Sequence, residues 1–143
     1  MHFRFKFWNL ANFYRNQNRL QESEKKYQEA LNIYRELAKK NPDKFNFNVA
    51  MSLNNLANFY VNQDRLQEAE KKYQEALNLY KELAKNNPKV YNLELARVLL
   101  TGYNYQLDKT INANKIEQLL KKYPNVLEAT NLLKILYDIK KSR

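Results

Sequence analysis

The strongest constraint on the fold is that part of the sequence occurs twice. Residues 9–42 align without gaps with residues 55–88, and 28 of the 34 aligned pairs are identical. The offset between the two copies is 46 positions. A repeat of this period is typical of stacked supersecondary units, which bury their apolar faces against each other. The sequence therefore predicts a repeat architecture.

Composition indicates that the repeated unit is helical. The 143-residue chain contains one glycine and three prolines, whereas Ala, Leu, Glu, Lys and Gln dominate its middle. Such a composition favours long helices over a sheet. The chain has no cysteine, which excludes disulfides and fits a cytoplasmic location. No apolar run approaches the roughly 20 residues of a membrane-spanning helix.

In the second copy, apolar residues recur at helical spacing in two stripes, which predicts two helices per copy. The first stripe is Val49, Leu53, Leu56, Ala57 and Tyr60. The second stripe is Leu66, Ala69, Tyr73, Ala76, Leu77, Tyr80, Leu83 and Ala84. Residues 62–65, between the stripes, are interpreted as a turn.

The helix ends are predicted from capping and proline signals. Asp64 with Gln67, and Asn18 with Gln21 in the first copy, have the spacing of an N-cap and its reciprocal partner. Each copy is therefore expected to turn just before its second helix. The second helices are expected to end at Pro42 and Pro88, because proline cannot continue the backbone ladder.

A weaker third unit and a last helix follow the two copies. Its stripes are Ala96, Leu99, Leu100 and Tyr103, then Ile116 and Leu119, with Pro124 closing the unit. Asn125 and Glu128 have capping-box spacing and open a final helix. The apolar residues of that helix are Leu127, Leu132, Leu133, Leu136 and Ile139. We predict one domain over residues 1–143, with units at about 4–42, 46–88 and 91–124 and a capping helix over 126–141.

Two motifs resemble the tetratricopeptide repeat family. They are Phe7-x-x-Leu10-Ala11-x-x-Tyr14 with Tyr27-x-x-Ala30, and Leu53-x-x-Leu56-Ala57-x-x-Tyr60 with Ala69-x-x-x-Tyr73-x-x-Ala76. The resemblance implies an all-α fold, a right-handed α-α superhelix of about three helical hairpins plus a C-terminal capping helix. The lengthened second helix is similar to the kinesin-light-chain-like subclass of bacterial and eukaryotic repeats.

The resemblance also implies that the first helices line a concave groove that binds a peptide or a partner protein. The groove face would comprise Phe5, Trp8, Asn9, Asn12, Arg15, Asn16, Met51, Asn54, Asn55, Asn58, Val61, Asn62, Glu94, Arg97, Val98, Thr101 and Asn104. An asparagine amide offers both a donor and an acceptor, so it can pair with any peptide unit. The alternative is that asparagine is simply frequent here, since Asn32 and Asn78 lie on second helices. Arg15 and Arg97 would favour an acidic partner.

The N-terminal segment offers a second kind of interaction. Phe3, Phe5 and Trp8 are predicted to lie at an uncapped end of the stack, which would either contact a second copy in a homodimer or continue into a longer repeat array. Trp8 could instead simply cover that end. Net charge is +10, with +4 in residues 1–20 and +5 in residues 109–143. Nucleic-acid association is the less favoured alternative, because no basic–aromatic motif accompanies the charge.

Catalytic signals are nearly absent from the sequence. His2 is the only histidine, and it has no cysteine to join it in a metal site. Gly102 is the only glycine, so a glycine-rich phosphate loop is excluded. We therefore expect no enzymatic activity, no cofactor and no bound metal.

Overall fold

A computed structural model describes the backbone of residues 2–143 and the side chains from residue 13 onward, except that of residue 15. Over these residues the chain forms six helices and no strand. They are α1 (His2–Lys40), α2 (Pro42–Asn62), α3 (Leu66–Asn86), α4 (Pro88–Asn104), α5 (Ala113–Lys121) and α6 (Leu127–Lys141). The predicted all-α solenoid class is confirmed.

The helices pack in chain order. α2 lies against both α1 and α3, α4 lies against both α3 and α5, and α6 packs on α4 and α5. Consecutive helices therefore form two hairpins, α2/α3 and α4/α5, with α6 covering the second. One apolar core is formed by residues of α1, α2, α3 and α4, and a second core is formed by residues of α4, α5 and α6.

The two predicted stripes of the second copy form most of the first core. Leu56 and Tyr73 are fully buried, as the pattern predicts. Leu66 is an exception, since it is exposed at the first position of α3, before the helix reaches its neighbours. Leu127 is likewise exposed at the start of α6, where Ala129 is buried instead.

The prolines separate consecutive helices, as predicted, and they also begin the next helix. Pro42 opens α2 and Pro88 opens α4. A proline is tolerated there because the N–H groups of the first turn have no intrahelical partner. The Asn41 side chain accepts a hydrogen bond from the Lys44 N–H at 3.3 Å and caps α2. α2 consequently starts four residues before the unit boundary expected at residue 46.

The turn of the second copy forms at the expected place but not by the expected cap. Asp64 has a left-handed backbone (φ 58°), and Arg65 precedes α3 at the N-cap position. The Arg65 N–H donates to the Tyr60 carbonyl at 2.9 Å. The predicted Asp64–Gln67 capping box is therefore wrong, because its first residue lies one position outside the helix boundary.

The turn of the first copy is not formed. α1 is one continuous helix of 39 residues that passes through Asn18 and Gln21, so the predicted N-cap there is wrong. In the second copy, Glu24 of α1 binds Arg65 and holds the turn from outside at 2.7 Å. Residues 16–22 are all exposed, so no comparable neighbour holds the first turn. Without a tertiary contact that stabilises the turn, the chain keeps its helical backbone hydrogen bonds and α1 continues through these residues.

The predicted capping box of the last helix is also wrong. Val126 is the N-cap residue of α6 and makes no side-chain capping bond. Glu128, the expected reciprocal partner of Asn125, instead forms an ion pair with Arg97 on α4. A tertiary charge pair has therefore replaced the local cap.

Candidate functional site

The sides of α2 and α4 that turn away from α3 form a common surface, because α3 packs against both helices. On α2 this surface carries Met51, Asn55, Asn58 and Asn62, which are spaced by three or four residues and so share one side of the helix. On α4 it carries Glu94, Arg97, Thr101 and Asn104. We call these eight residues the open face.

The open face is polar on α2. Asn55 and Asn62 are exposed, and Asn58 and Met51 are half-buried. Their opposite neighbours Leu53, Leu56 and Tyr60 fill the core. The amides therefore project from a helix that is fixed by packing on its other sides.

Asn54 lies at the edge of the open face that is nearest to α4. It follows Phe47 by two helical turns, and the Phe47 ring contacts the Tyr91 ring of α4 with centroids 5.6 Å apart. Asn54 is half-buried, and its Oδ1 is shielded from solvent. Within the described part of the chain, this oxygen accepts no hydrogen bond. A buried acceptor without a partner costs about 1–3 kcal/mol, so this oxygen is a local cost to the stability of the fold.

Arg97 is held in place by two carboxylates. Its guanidinium lies 2.9 Å from Glu94 on the same helix and also pairs with Glu128 of α6. The Thr101 hydroxyl donates to the Arg97 carbonyl at 3.1 Å. The positive charge predicted to attract an acidic partner is therefore offset by charges of the chain itself.

Val98 does not belong to the open face, contrary to the prediction. It is buried, and its carbonyl accepts a hydrogen bond from the Tyr73 hydroxyl at 2.9 Å. Its position in the helical period turns it toward α3 rather than away from it. Val61 likewise packs against the first core.

A cavity of about 230 Å³ continues the open face onto α6. Arg97, Thr101 and Asn104 line it together with Leu100, Tyr105, Leu132, Ile135 and Ile139. Sequence reasoning missed Ile135, which is 48% exposed. The sequence signal was that Ile135 lies outside the helical stripe formed by Leu132 and Leu136, so an apolar side chain there is expected to be exposed.

Electrostatics connect α3 with the open face. Burial raises the pKa of Tyr80 to about 12, and the Glu94 carboxylate adds to this shift while Arg97 opposes it. The Tyr80 hydroxyl is protonated at neutral pH, as a tyrosine with the ordinary pKa of 10 would also be. The open face therefore rests on a neutral, buried tyrosine.

Several predicted residues lie outside the described side chains. These are Asn9, Asn12 and Arg15 of the predicted groove, and Phe3, Phe5 and Trp8 of the predicted oligomer contact. The residues that the structure brings together are those of α2, α4 and α6.

Two other features are absent from the described residues. These residues contain no group of three or more His, Cys, Asp or Glu residues that could hold a metal ion. None of the helices in this part of the chain combines the length and the apolar character needed to cross a bilayer.

Stacked helical hairpins with an exposed polar face define the class of helical-repeat proteins. A family model described as the tetratricopeptide repeat matches residues 9–43 and 49–88, just over half of the chain. The chain therefore belongs to the tetratricopeptide repeat family, whose repeats generally mediate protein–protein interaction. Comparison with curated proteins and with solved structures gave no match.

Proposed function

We propose that this protein is an interaction module that holds an extended segment of a partner protein along the open face, as in a concave groove. The observation that carries the proposal is the row of amides on one side of α2, Asn55, Asn58 and Asn62, of which Asn55 and Asn62 are exposed and Asn58 is half-buried. Such a row can pair with consecutive peptide units whatever their sequence, because each amide both donates and accepts.

The cavity between α4 and α6 suggests the chemistry of the bound segment. Its lining includes the apolar Leu100, Leu132 and Ile139 and the polar Asn104. An apolar side chain in this cavity would bury additional surface, at about 25 cal/mol per Å². We base the partner's chemistry on this cavity and on the amides, and not on an acidic character, because Glu94 and Glu128 already neutralise Arg97.

Four further statements belong to this proposal. The chain works as one repeat domain without enzymatic activity, and it acts in the cytoplasm. It belongs to the kinesin-light-chain-like subclass, which the 21-residue length of α3 supports. The family's usual proline falls at the position of Lys81, whereas here the proline comes seven residues later, at Pro88, which is about two helical turns.

A peptide array compared between three proteins tests the groove. The wild type is compared with the variant Asn55→Ala plus Asn58→Ala, which removes two amides from the open face. The matched control is Asn32→Ala plus Asn78→Ala, which removes two exposed amides from the second-helix positions of the two copies. We expect the first variant to lose most of the peptide spots and the control to keep them. If both variants kept every spot, the open face would not be the binding surface.

A further inference from the structure

One face of α1 lacks the helix that covers its counterpart in the second copy. Tyr27 is 38% exposed, whereas the identical Tyr73 at the equivalent position is 0% exposed. Ile33 is 60% exposed, whereas its equivalent Leu79 packs against the first core. Since the sequences are nearly the same, the difference comes from what lies against them. We call residues 23–37 on this side of α1 the vacant face.

The N-terminal half of α1 shows the complementary deficit. Tyr14 is 59% exposed, although the identical Tyr60 in α2 is only 2% exposed. In the second copy these two surfaces belong together, because α2 folds back onto α3 through the turn at residues 62–65. In the first copy Tyr14 and Tyr27 are both exposed, and the continuous α1 keeps them apart along one helix.

The continuous helix explains why Tyr14 and the vacant face do not pack on each other within one chain. α1 passes through residues 16–19 without a turn, so the residues before Asn16 extend beyond the vacant face instead of lying alongside it. The segment that fits the vacant face is nevertheless encoded in the chain. Residues 9–16 repeat residues 55–62 with a single difference, Arg15 for Val61.

We propose that two copies of this chain exchange these halves. The two α1 helices lie antiparallel, and the N-terminal half of each covers the vacant face of the other in the way that α2 covers α3. Residues 2–16 and residues 23–37 each span about 22 Å of helix, so the lengths match. A shallow cavity lined by Ser23, Lys26 and Tyr27 lies where the exchanged helix would dock.

This arrangement is a domain-swapped dimer, in which an element that would pack within one chain packs on its partner. It differs from an aromatic patch at the end of the stack, because it specifies an antiparallel pairing over both halves of α1. It does not rest on the proposed peptide binding. It leaves α2, α4 and α6 available in each copy.

A proline at the hinge tests the exchange. Leu20 corresponds to Leu66, the first residue of α3, where proline is tolerated. Leu20→Pro is therefore compatible with a closed hairpin but not with a continuous α1. The matched control is Leu66→Pro, which meets an existing helix start. Light scattering should give a dimer for the wild type and for Leu66→Pro, and a monomer of unchanged helix content for Leu20→Pro.

Two results would overturn the exchange: a monomeric wild type at every concentration up to its solubility limit, or a Leu20→Pro variant that stays dimeric. A second measurement does not depend on a variant that must fold. Light and isotopically heavy wild-type chains are refolded together and cross-linked at lysines. We expect Lys6–Lys26 cross-links in mixed light–heavy pairs, at about half of all such links. Links confined to light–light and heavy–heavy pairs would mean that each chain closes on itself, and would refute the exchange.

Discussion

Gly102, the only glycine of the chain, is required by packing and not by a turn. It lies inside α4, and the Tyr73 side chain of α3 fills the space that a Cβ atom would occupy. Its backbone is not left-handed. The close approach allows the Tyr73 hydroxyl to reach the Val98 carbonyl, which joins the two hairpins. Sequence reasoning used this glycine only to exclude a phosphate loop, because the tyrosine that fills the space is distant in sequence.

Gly102→Ala is expected to destabilise the fold. Helix propensity alone would favour alanine by about 1 kcal/mol. The added methyl group overlaps the Tyr73 ring, however, and such overpacking costs about 1–3 kcal/mol. Chemical denaturation should show a lower free energy of unfolding. Asn104→Ala, an exposed change on the same helix, is the control and should be neutral or stabilising; a stabilised Gly102→Ala would mean that α3 and α4 are not this close.

Arg65 is one of the residues that join the first and second copies. Its guanidinium binds Glu24 of α1 at 2.7 Å, pairs with Glu68 of α3 and lies 4.5 Å from the centre of the Tyr60 ring. The Arg65 hydrogen bond holds the pKa of Glu24 below its ordinary value of 4.5, and the Tyr60 hydroxyl adds to this effect. A carboxyl with a lowered pKa stabilises the fold at neutral pH.

This pair predicts a specific pH dependence. Because the pKa of Glu24 is lower in the folded chain, its contribution is present above pH 4.5 and is lost as the pH falls through the folded value. Glu24→Gln should lower the free energy of unfolding by about 1 kcal/mol at pH 7, with the difference disappearing in acid. The control is Glu70→Gln at the equivalent, exposed position, which should change stability by less than about 0.5 kcal/mol at pH 7. A constant difference for Glu24→Gln at all pH values would contradict the assignment.

At the scale of helices, the sequence predicted more of the second copy than of the first. The stripes that predicted α2 and α3 contain the residues that the structure buries, and the prolines marked their ends. The absence of a turn in the first copy could not be predicted, because the two copies have nearly the same sequence there. The turn forms in the second copy, where Glu24 of α1 binds Arg65. Local signals therefore established which segments are helical, and tertiary contacts decided whether a helix breaks.

In the last helix, too, tertiary contacts decide which of the predicted apolar residues are buried. Leu136 is fully buried against α4 and α5, whereas Leu127 in the same helix is 75% exposed. We expect Leu136→Ala to lower the free energy of unfolding by about 2–5 kcal/mol, the range for a buried leucine. Leu127→Ala should change it by less than about 0.5 kcal/mol. Thermal and chemical denaturation both measure this contrast, and equal effects would place α6 outside the core.

The candidate site was predictable in part for the same physical reason. Spacing along α2 places Met51, Asn55, Asn58 and Asn62 on one side, so the periodicity sufficed there. It did not suffice on α4, where Val98 turns toward α3, or on α6, where Ile135 lines a cavity that exists only after the helices pack. The partners of Arg97 are also tertiary, since Glu128 comes from another helix.

At the scale of the whole molecule, the open face and the vacant face have separate roles. The open face comprises the sides of α2 and α4 turned away from α3, and we propose that it binds another protein. The vacant face lies on α1, and we propose that it binds a second copy. A dimer formed through α1 would carry two open faces, so a partner with two binding segments would bind more tightly than one segment alone.

We propose that the amides of α2 hold the partner, and the dissociation constant of a captured peptide tests this most directly. Calorimetric titration of the wild type, of Asn55→Ala plus Asn58→Ala and of Asn32→Ala plus Asn78→Ala gives three values to compare. Two lost hydrogen bonds of about 0.7 kcal/mol each predict about tenfold weaker binding for the first variant, and wild-type affinity for the second. Equal dissociation constants for all three proteins would contradict the claim.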